Sequence, residues 1–171
     1  SEIMEFLDVV DENDEIVGKA SYNEIYERLL VHRIAHVLIF NGGGEMLLQL
    51  RSKHKNFCPL HWGTSVGGHV RSGESYEEAA EREFEEELGT STDITFLRKD
   101  FYVDDKFNIG LKKFLGTFTA TFNGPFKINS EEVEKIEFLS LDKIQDMINN
   151  DEKFHPELLF ILNKQFGVKV D

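Results

Sequence analysis

Residues 68–90 read GHVRSGESYEEAAEREFEEELGT. Eight of the fourteen residues from Glu74 to Glu87 are glutamates, and Arg82 is the only cation among them. Several of these glutamates stand four residues apart, a spacing at which like charges on a helix repel one another. Because no lysine offsets that repulsion, we expect compensation from outside the helix. A divalent cation suits clustered carboxylate oxygens.

An amphipathic helix is predicted from about Ser75 to Leu88, with Gly89 as its stop signal. Three glutamates of this segment, spaced three and four residues apart, can reach one patch of surface beside the apolar stripe that faces the core. These candidate metal ligands are Glu83, Glu86 and Glu87. The alternative is a solvated, highly charged helix, which the absence of balancing lysines disfavours.

The same stretch resembles the Nudix box, G-x5-E-x7-R-E-U-x-E-E-x-G-U, in which U is a bulky apolar residue. The positions that match are Gly68, Glu74, Arg82, Glu83, Phe84, Glu86, Glu87 and Gly89. Only Thr90 departs from the pattern, because an aliphatic residue is usual there. So many fixed positions in a short window make the motif far more specific than a single glycine-rich loop.

The resemblance implies an enzyme that uses Mg²⁺ or Mn²⁺ to hydrolyse a diphosphate linkage, in a nucleoside diphosphate derivative or a related compound. The implied metal ligands are Glu83, Glu86, Glu87 and the carbonyl oxygen of Gly68. Arg82 would hold the carboxylates in place, and Glu74 would orient the start of the helix. One glutamate must activate water, either Glu83 itself or an acid near residues 131–134.

Four further candidates lie outside the glutamate helix. Glu132 represents the acidic cluster Glu131, Glu132 and Glu134 as the alternative base. Arg51 and Lys55 belong to the one concentrated basic stretch, R-S-K-H-K, and are candidate phosphate contacts. The alternative for that stretch is a solvated loop. His69, directly after Gly68, is a candidate supporting residue.

Beyond the box, the chain resembles the Nudix branch that includes isopentenyl-diphosphate isomerase. The segments concerned are DENDEIVG, LVHRIAHVLIFN, LLQLRS-x-HK and PLHWGTSVGGH. That isomerase uses a cysteine just before its Gly-His pair, where this chain has Gly67, and Cys58 does not match. His32 and His69 match isomerase metal-binding positions, but a further histidine is missing near Ile25. The pattern therefore favours a hydrolase on an isomerase-like scaffold over an isomerase.

A third interpretation is a module that binds a nucleotide without cleaving it. The complete R-E-F-E-E-E core of residues 82–87 disfavours this sensor, because a protein that only binds has no need of every metal ligand.

Composition limits the partners. The net charge is −13, which argues against a nucleic-acid polymer or an anionic membrane as partner. A small diphosphate substrate remains compatible, because bound cations can invert the local charge. The single cysteine and the acidic N-terminus favour a reducing cytoplasm. We expect one domain over residues 1–171, as a monomer or a homodimer.

Patterning along the chain predicts an α/β/α sandwich with a mixed β-sheet. Strands are predicted at Phe6–Val10, Glu15–Gly18, Arg33–Asn41, Glu45–Arg51, 64–70, Ile94–Asp104, Asn108–Phe122 and Val133–Leu139. Besides the glutamate helix, helices are predicted from Ser21 to about Val31, at Leu141–Asn149 and at Pro156–Phe166.

Overall fold

The structure is a computed structural model that describes residues 5–171. Its strands are β1 (Phe6–Val10), β2 (Ile16–Ser21), β3 (His32–Phe40), β4 (Met46–Arg51), β5 (Trp62–Gly63), β6 (Val66–His69), β7 (Thr95–Val103), β8 (Lys112–Thr121) and β9 (Val133–Leu139). Its helices are α1 (Tyr22–Arg28), α2 (Tyr76–Leu88), α3 (Leu141–Asn149) and α4 (Pro156–Phe166).

The main sheet is mixed and is organised around β3. This strand pairs in parallel with β8 along its whole length and antiparallel with β6. Strand β4 pairs antiparallel with β9 and with the short β5. Strands β3 and β4 share a single pair of facing residues, Phe40 and Met46, so the hairpin opens beyond its turn.

Ser65 bridges the opened hairpin. Its hydroxyl accepts a hydrogen bond from the Ile39 amide at 2.8 Å and donates one to the Leu47 carbonyl at 2.5 Å. These bonds satisfy backbone groups that would otherwise pair across the two strands.

Helices cover both faces of this sheet, which confirms the predicted α/β/α sandwich. On one face, α2 buries Ala79, Ala80, Phe84 and Leu88 against β3, β6 and β8. On the other face, α3 and α4 bury a second apolar cluster that includes Leu158 and Ile161. The sheet therefore holds α2 rigidly by its apolar stripe.

The predicted bounds of β1, β9, α3 and α4 agree with the structure. Helix α1 is shorter than predicted: it ends at Arg28, because Leu29 adopts a left-handed conformation with φ of 54°. Strand β8 begins at Lys112 and not at Asn108. The preceding segment is a loop, in which the Asp104 carboxylate accepts hydrogen bonds from three backbone amides. Strand β5 lies between the predicted strands Glu45–Arg51 and 64–70, where no strand was predicted.

Within residues 5–171, none of the helices combines the length and the apolar character needed to cross a bilayer.

Candidate active site

Helix α2 begins and ends as its sequence predicts. Ser75 is the N-cap and forms a reciprocal capping box with Glu78, and Gly89 closes the helix in a left-handed conformation. Strand β6 supplies Gly68 at its end, and residues 70–75 connect it to the helix. The strand end and the helix are thus fixed relative to one another.

Gly68 lies directly against Glu83. A methyl group added at Gly68 would overlap the Glu83 carboxylate, with the side-chain Cγ only 2.7 Å away. Glycine is therefore required for this close approach. The structure brings together the backbone and the carboxylate that the sequence pattern paired.

Glu87 is the most buried of the three candidate ligands, with 5% of its surface exposed. Gln49 donates a hydrogen bond of 2.6 Å to its carboxylate, and the Glu83 carboxylate is a close neighbour. Burial, and then the neighbouring Glu83 carboxylate, raise the pKa of Glu87 well above its ordinary range. Two carboxyl groups in such contact require a shared proton or a cation between them.

Glu86 is more open, with 48% of its side chain exposed. Partial burial and the charge of Glu83 raise its pKa. A half-exposed carboxylate beside the less exposed Glu83 and Glu87 can bind an ion and still reach a substrate in solvent.

Arg82 binds three of the box glutamates. Its guanidinium donates two hydrogen bonds to Glu74 and one of 2.6 Å to Glu83, and it contacts Glu86 at 3.4 Å. A further bond of 3.1 Å goes to the His69 carbonyl at the end of β6. Arg82 thus offsets part of the repulsion from within the helix, and the compensating cation stays a prediction.

Glu74 sits where it can organise the loop before α2. Besides its two bonds to Arg82, its carboxylate accepts a hydrogen bond of 2.8 Å from the Arg71 amide. Burial alone would raise its pKa, but the bonds from Arg82 and Arg71 outweigh that effect and lower it. These contacts are compatible with the orienting role that the box pattern implies for Glu74, which stays a prediction.

Lys55 and Glu132, predicted separately as phosphate contact and base, form an ion pair with one another at 2.5 Å. The Ser52 amide also donates to the Glu132 carbonyl at 3.0 Å, which ties the basic loop to the acidic one. Both side chains are about one-third exposed and line the main cavity. Each charge is therefore available once the pair separates.

Arg51 also lines this cavity, but its guanidinium is largely engaged. It donates hydrogen bonds of 2.7 and 3.2 Å to the Phe57 carbonyl and one of 3.0 Å to the Cys58 carbonyl. These bonds hold the loop between β4 and β5 in place. Its contact with substrate phosphate stays a prediction.

His69 belongs to an aromatic cluster beside Gly68. Its Nε2 lies 2.7 Å from the Tyr26 hydroxyl, and its ring stacks on His32 at 5.6 Å. Burial lowers the pKa of His69 well below its ordinary range and that of His32 to about 4. Both rings are therefore neutral near neutral pH and can support the backbone of Gly68 without adding charge.

A cavity of about 520 Å³ opens beside these groups. Its wall includes Gly68, Gln49 and Glu132, and also residues that the sequence analysis did not select. The residues missed are the buried polar side chains His36, Thr64, Lys113 and Glu157. The only sequence signal for Lys113 is its place in register with Leu115 and Thr117 on a strand with buried residues.

The NUDIX domain profile matches residues 30–159, most of the chain. The chain belongs to the Nudix family. A Nudix hydrolase of Listeria innocua is 32% identical over 169 residues, which covers 97% of this chain and 96% of the relative. A Nudix hydrolase of Pseudomonas aeruginosa is 33% identical over 135 residues, which covers 79% of this chain and 78% of the relative.

Solved structures share the fold of this chain. A crystal structure of a Deinococcus radiodurans protein has a TM-score of 0.81 at 26% identity and covers 95% of this chain and 99% of its own. The Nudix domain of Shewanella oneidensis NrtR, solved with ADP-ribose, shares the fold with a TM-score of 0.60 at 16% identity. It covers 77% of this chain and 84% of its own. This Nudix protein is thus a hydrolase that acts on phosphorus-containing anhydrides.

Nudix hydrolases generally use divalent metal ions. Across residues 5–171, no three carboxylate, histidine or cysteine side chains converge on one ion position. The reason is visible in the geometry, since Glu83 and Glu86 both turn toward Arg82. The donors nevertheless fit such an ion chemically, because they offer hard carboxylate oxygens beside a glycine carbonyl.

Proposed function

We propose that this Nudix hydrolase cleaves the diphosphate linkage of a nucleoside diphosphate derivative with Mg²⁺ or Mn²⁺. The observation that carries the proposal is the closeness of Glu83 and Glu87 on α2, with the Glu83 carboxylate directly against Gly68, which lines the cavity. Two neighbouring carboxylates that Arg82 and Gln49 relieve only in part are unfavourable for stability alone and favourable for binding a cation.

Glu83, Glu86, Glu87 and the Gly68 carbonyl would hold the metal. Such ions, when bound, polarise phosphoryl oxygens and lower the pKa of water. With Glu83 and Glu86 as metal ligands, Arg82 would no longer bind these two residues. It would keep its hydrogen bonds to Glu74 and to the His69 carbonyl.

The ion pair between Lys55 and Glu132 supplies the remaining groups. A substrate phosphate that attracts Lys55 would free the Glu132 carboxylate, which could then take a proton from the attacking water. Glu83 is the alternative base. Arg51 would act beside Lys55, where it keeps the loop in place.

The test is a screen for phosphate or nucleotide release with Mg²⁺ or Mn²⁺ and with EDTA. The substrates are nucleoside diphosphate derivatives, dinucleoside polyphosphates and prenyl diphosphates. We expect turnover of members of the first two classes, abolished by EDTA. Binding of nucleotides without turnover would replace the proposal by the sensor interpretation. A cytoplasmic location, a single domain and a monomeric or homodimeric state stay predictions.

A further inference from the structure

A buried polar network forms one wall of the main cavity. Glu157, at the first turn of α4, accepts a hydrogen bond of 2.8 Å from Lys113 on β8 and lies 2.8 Å from the Nε2 of His36 on β3. His36 in turn contacts the Thr64 hydroxyl at 2.7 Å. Lys113 and Glu157 are 4% and 3% exposed. Both nevertheless line the cavity.

The network has hydrogen-bonding capacity to spare. An ammonium group carries three N–H donors. Among the described residues, Glu157 is the hydrogen-bond acceptor found for Lys113. Each oxygen of Glu157 has one polar partner and so keeps a lone pair. Burial alone would raise the pKa of Glu157, but Lys113 and His36 hold it well below its ordinary range. The pair is thus charged, and it offers donors beside acceptors.

Lys113 and Glu157 line the same cavity as Gly68. One continuous cavity is lined by Gly68 of the candidate metal site, by Gln49, which bonds the candidate ligand Glu87, and by Lys113 and Glu157. The aromatic side chains of Tyr22, Tyr26 and Phe57 line the same space. A substrate whose diphosphate lies at Gly68 would therefore share the cavity with aromatic rings and a buried charged pair.

We propose that Lys113 and Glu157 are specificity-determining residues that bind the edge of a nucleobase. The inference rests on the proposed function and names the part of the substrate that the cavity selects. A nucleobase edge presents acceptors beside N–H donors, which match the ammonium and the carboxylate, and its flat face suits the aromatic rings. A prenyl chain would cover both charged groups and satisfy neither, which is costly for buried polar groups.

The pair also joins α4 to β3 and β8, so its removal tests structure and recognition together. Replacing both charged partners avoids leaving one buried charge alone, which is the main source of instability. The double variant Lys113→Met, Glu157→Gln keeps side-chain volume and an acceptor for His36. Lys112→Met is the matched control, because it makes the same change one residue earlier, at an exposed position on the same strand.

The experiment measures binding of α,β-methylene nucleoside diphosphates of the four bases by calorimetry, with Mg²⁺ present. Methylenediphosphonate, which has no base, is the reference probe. In the parent protein we expect at least one nucleotide to bind tenfold or more tighter than this reference. The double variant should lose roughly ten- to a hundredfold of that advantage, as expected for hydrogen bonds to charged groups. Its affinity for methylenediphosphonate should not change, and Lys112→Met should match the parent.

Equal affinity of the parent for all five probes would overturn the inference, and this measurement needs no variant to fold. An unchanged preference in a folded double variant would overturn it as well. The proposed function fails separately, if the parent hydrolyses no diphosphate substrate with either metal. A parent that cleaves diphosphates without any preference for a base would keep the function and lose the inference.

Discussion

Arg82 holds Glu74 by two parallel hydrogen bonds, from Nε to Oε2 at 2.7 Å and from Nη2 to Oε1 at 2.9 Å. Glu74 lies in the loop before α2, and Arg82 lies in the second turn of the helix. The two bonds therefore fasten this loop to the helix. Planar, two-point binding of this kind is specific to arginine. The same guanidinium reaches Glu83, so the position of one candidate ligand depends on the Glu74 contact.

Replacing Arg82 by lysine should therefore lower activity without removing the charge. We expect Arg82→Lys to reduce kcat roughly ten- to a hundredfold, as is usual when residues that orient metal ligands are changed. Arg98→Lys is the control, because Arg98 makes the same two-point contact with Asp100 at 2.9 Å on β7. The measurement is the steady-state kcat of both variants with the preferred diphosphate substrate. Equal kcat values for Arg82→Lys and Arg98→Lys would contradict an orienting role of Arg82.

Glu86 allows a test that is nearly free of structural side effects. Its carboxylate is half-exposed and its contact with Arg82 is long, so Glu86→Gln should fold and melt like the parent. We expect its kcat to fall by about two or more orders of magnitude, because a metal ligand loses its charge. Glu85→Gln, an exposed neighbour on the same helix, should keep parental kcat. Near-parental turnover by Glu86→Gln would remove this residue from the metal site.

The sequence predicted the parts of the fold that depend on local signals. The N-cap Ser75, the terminal Gly89 and the apolar stripe through Phe84 are enough to place α2, because capping and periodicity act within a few residues. The end of α1 was missed since Leu29 adopts the left-handed conformation without the glycine that usually marks it.

The sequence likewise predicted only the part of the candidate site that depends on local signals. The box glutamates were found because they lie on one helix, whereas the cavity network joins side chains distant in sequence. His36 and Glu157 are 121 residues apart, and Lys113 and Glu157 are 44 apart. A lysine in a strand and a glutamate in the first turn of a helix are ordinary in isolation. Only the packing of α4 on β3 and β8 makes them a buried pair.

Isomerisation of isopentenyl diphosphate should be absent. Gly67 offers no group that can move a proton, and a Cβ at this position would lie 2.9 Å from His36 Nδ1 and 3.2 Å from the Thr64 hydroxyl. Gly67→Cys should therefore disturb the His36 contact without creating an isomerase. Product analysis of isopentenyl diphosphate incubated with the parent and with Gly67→Cys checks this. Conversion to dimethylallyl diphosphate by the parent would refute it.

Acid should destabilise the protein through His155. Burial lowers the pKa of His155 to about 3, far below the value of about 6.5 in an unfolded chain. Between these values the unfolded chain binds a proton that the folded protein does not, so stability falls as pH falls from about 6.5 toward 3. For this group alone the loss is roughly 2–3 kcal/mol between about pH 7 and pH 4.5.

His155→Asn removes that titration. It keeps an N-cap acceptor for the Glu157 amide, which donates a hydrogen bond of 3.1 Å to His155 Nδ1 in the parent. Urea unfolding at the two pH values should show a smaller loss for this variant than for the parent. His54→Asn, at an exposed loop position, is the control and should lose as much as the parent. An equal loss for His155→Asn would show that other groups dominate acid unfolding.

Divalent metal should stabilise the fold, and Glu87 should decide how much. A cation that binds only the folded arrangement of Glu83 and Glu87 raises the unfolding free energy by roughly 2.7 kcal/mol at a hundredfold excess over Kd. In Glu87→Gln, the new amide can accept the hydrogen bond from Gln49 through its oxygen and donate from its nitrogen to Glu83. This replaces a contact between two carboxylates by a satisfied one.

Glu87→Gln should therefore melt above the parent in EDTA and respond little to millimolar Mg²⁺, whereas the parent should gain several degrees. Glu81→Gln removes a charge at an exposed position of the same helix, and its response to Mg²⁺ should match that of the parent. Thermal melts of the three proteins in both buffers separate local charge repulsion from general helix electrostatics. If the parent melts at the same temperature with and without Mg²⁺, Glu83 and Glu87 do not form a cation site, and Arg82 alone is enough to balance the helix.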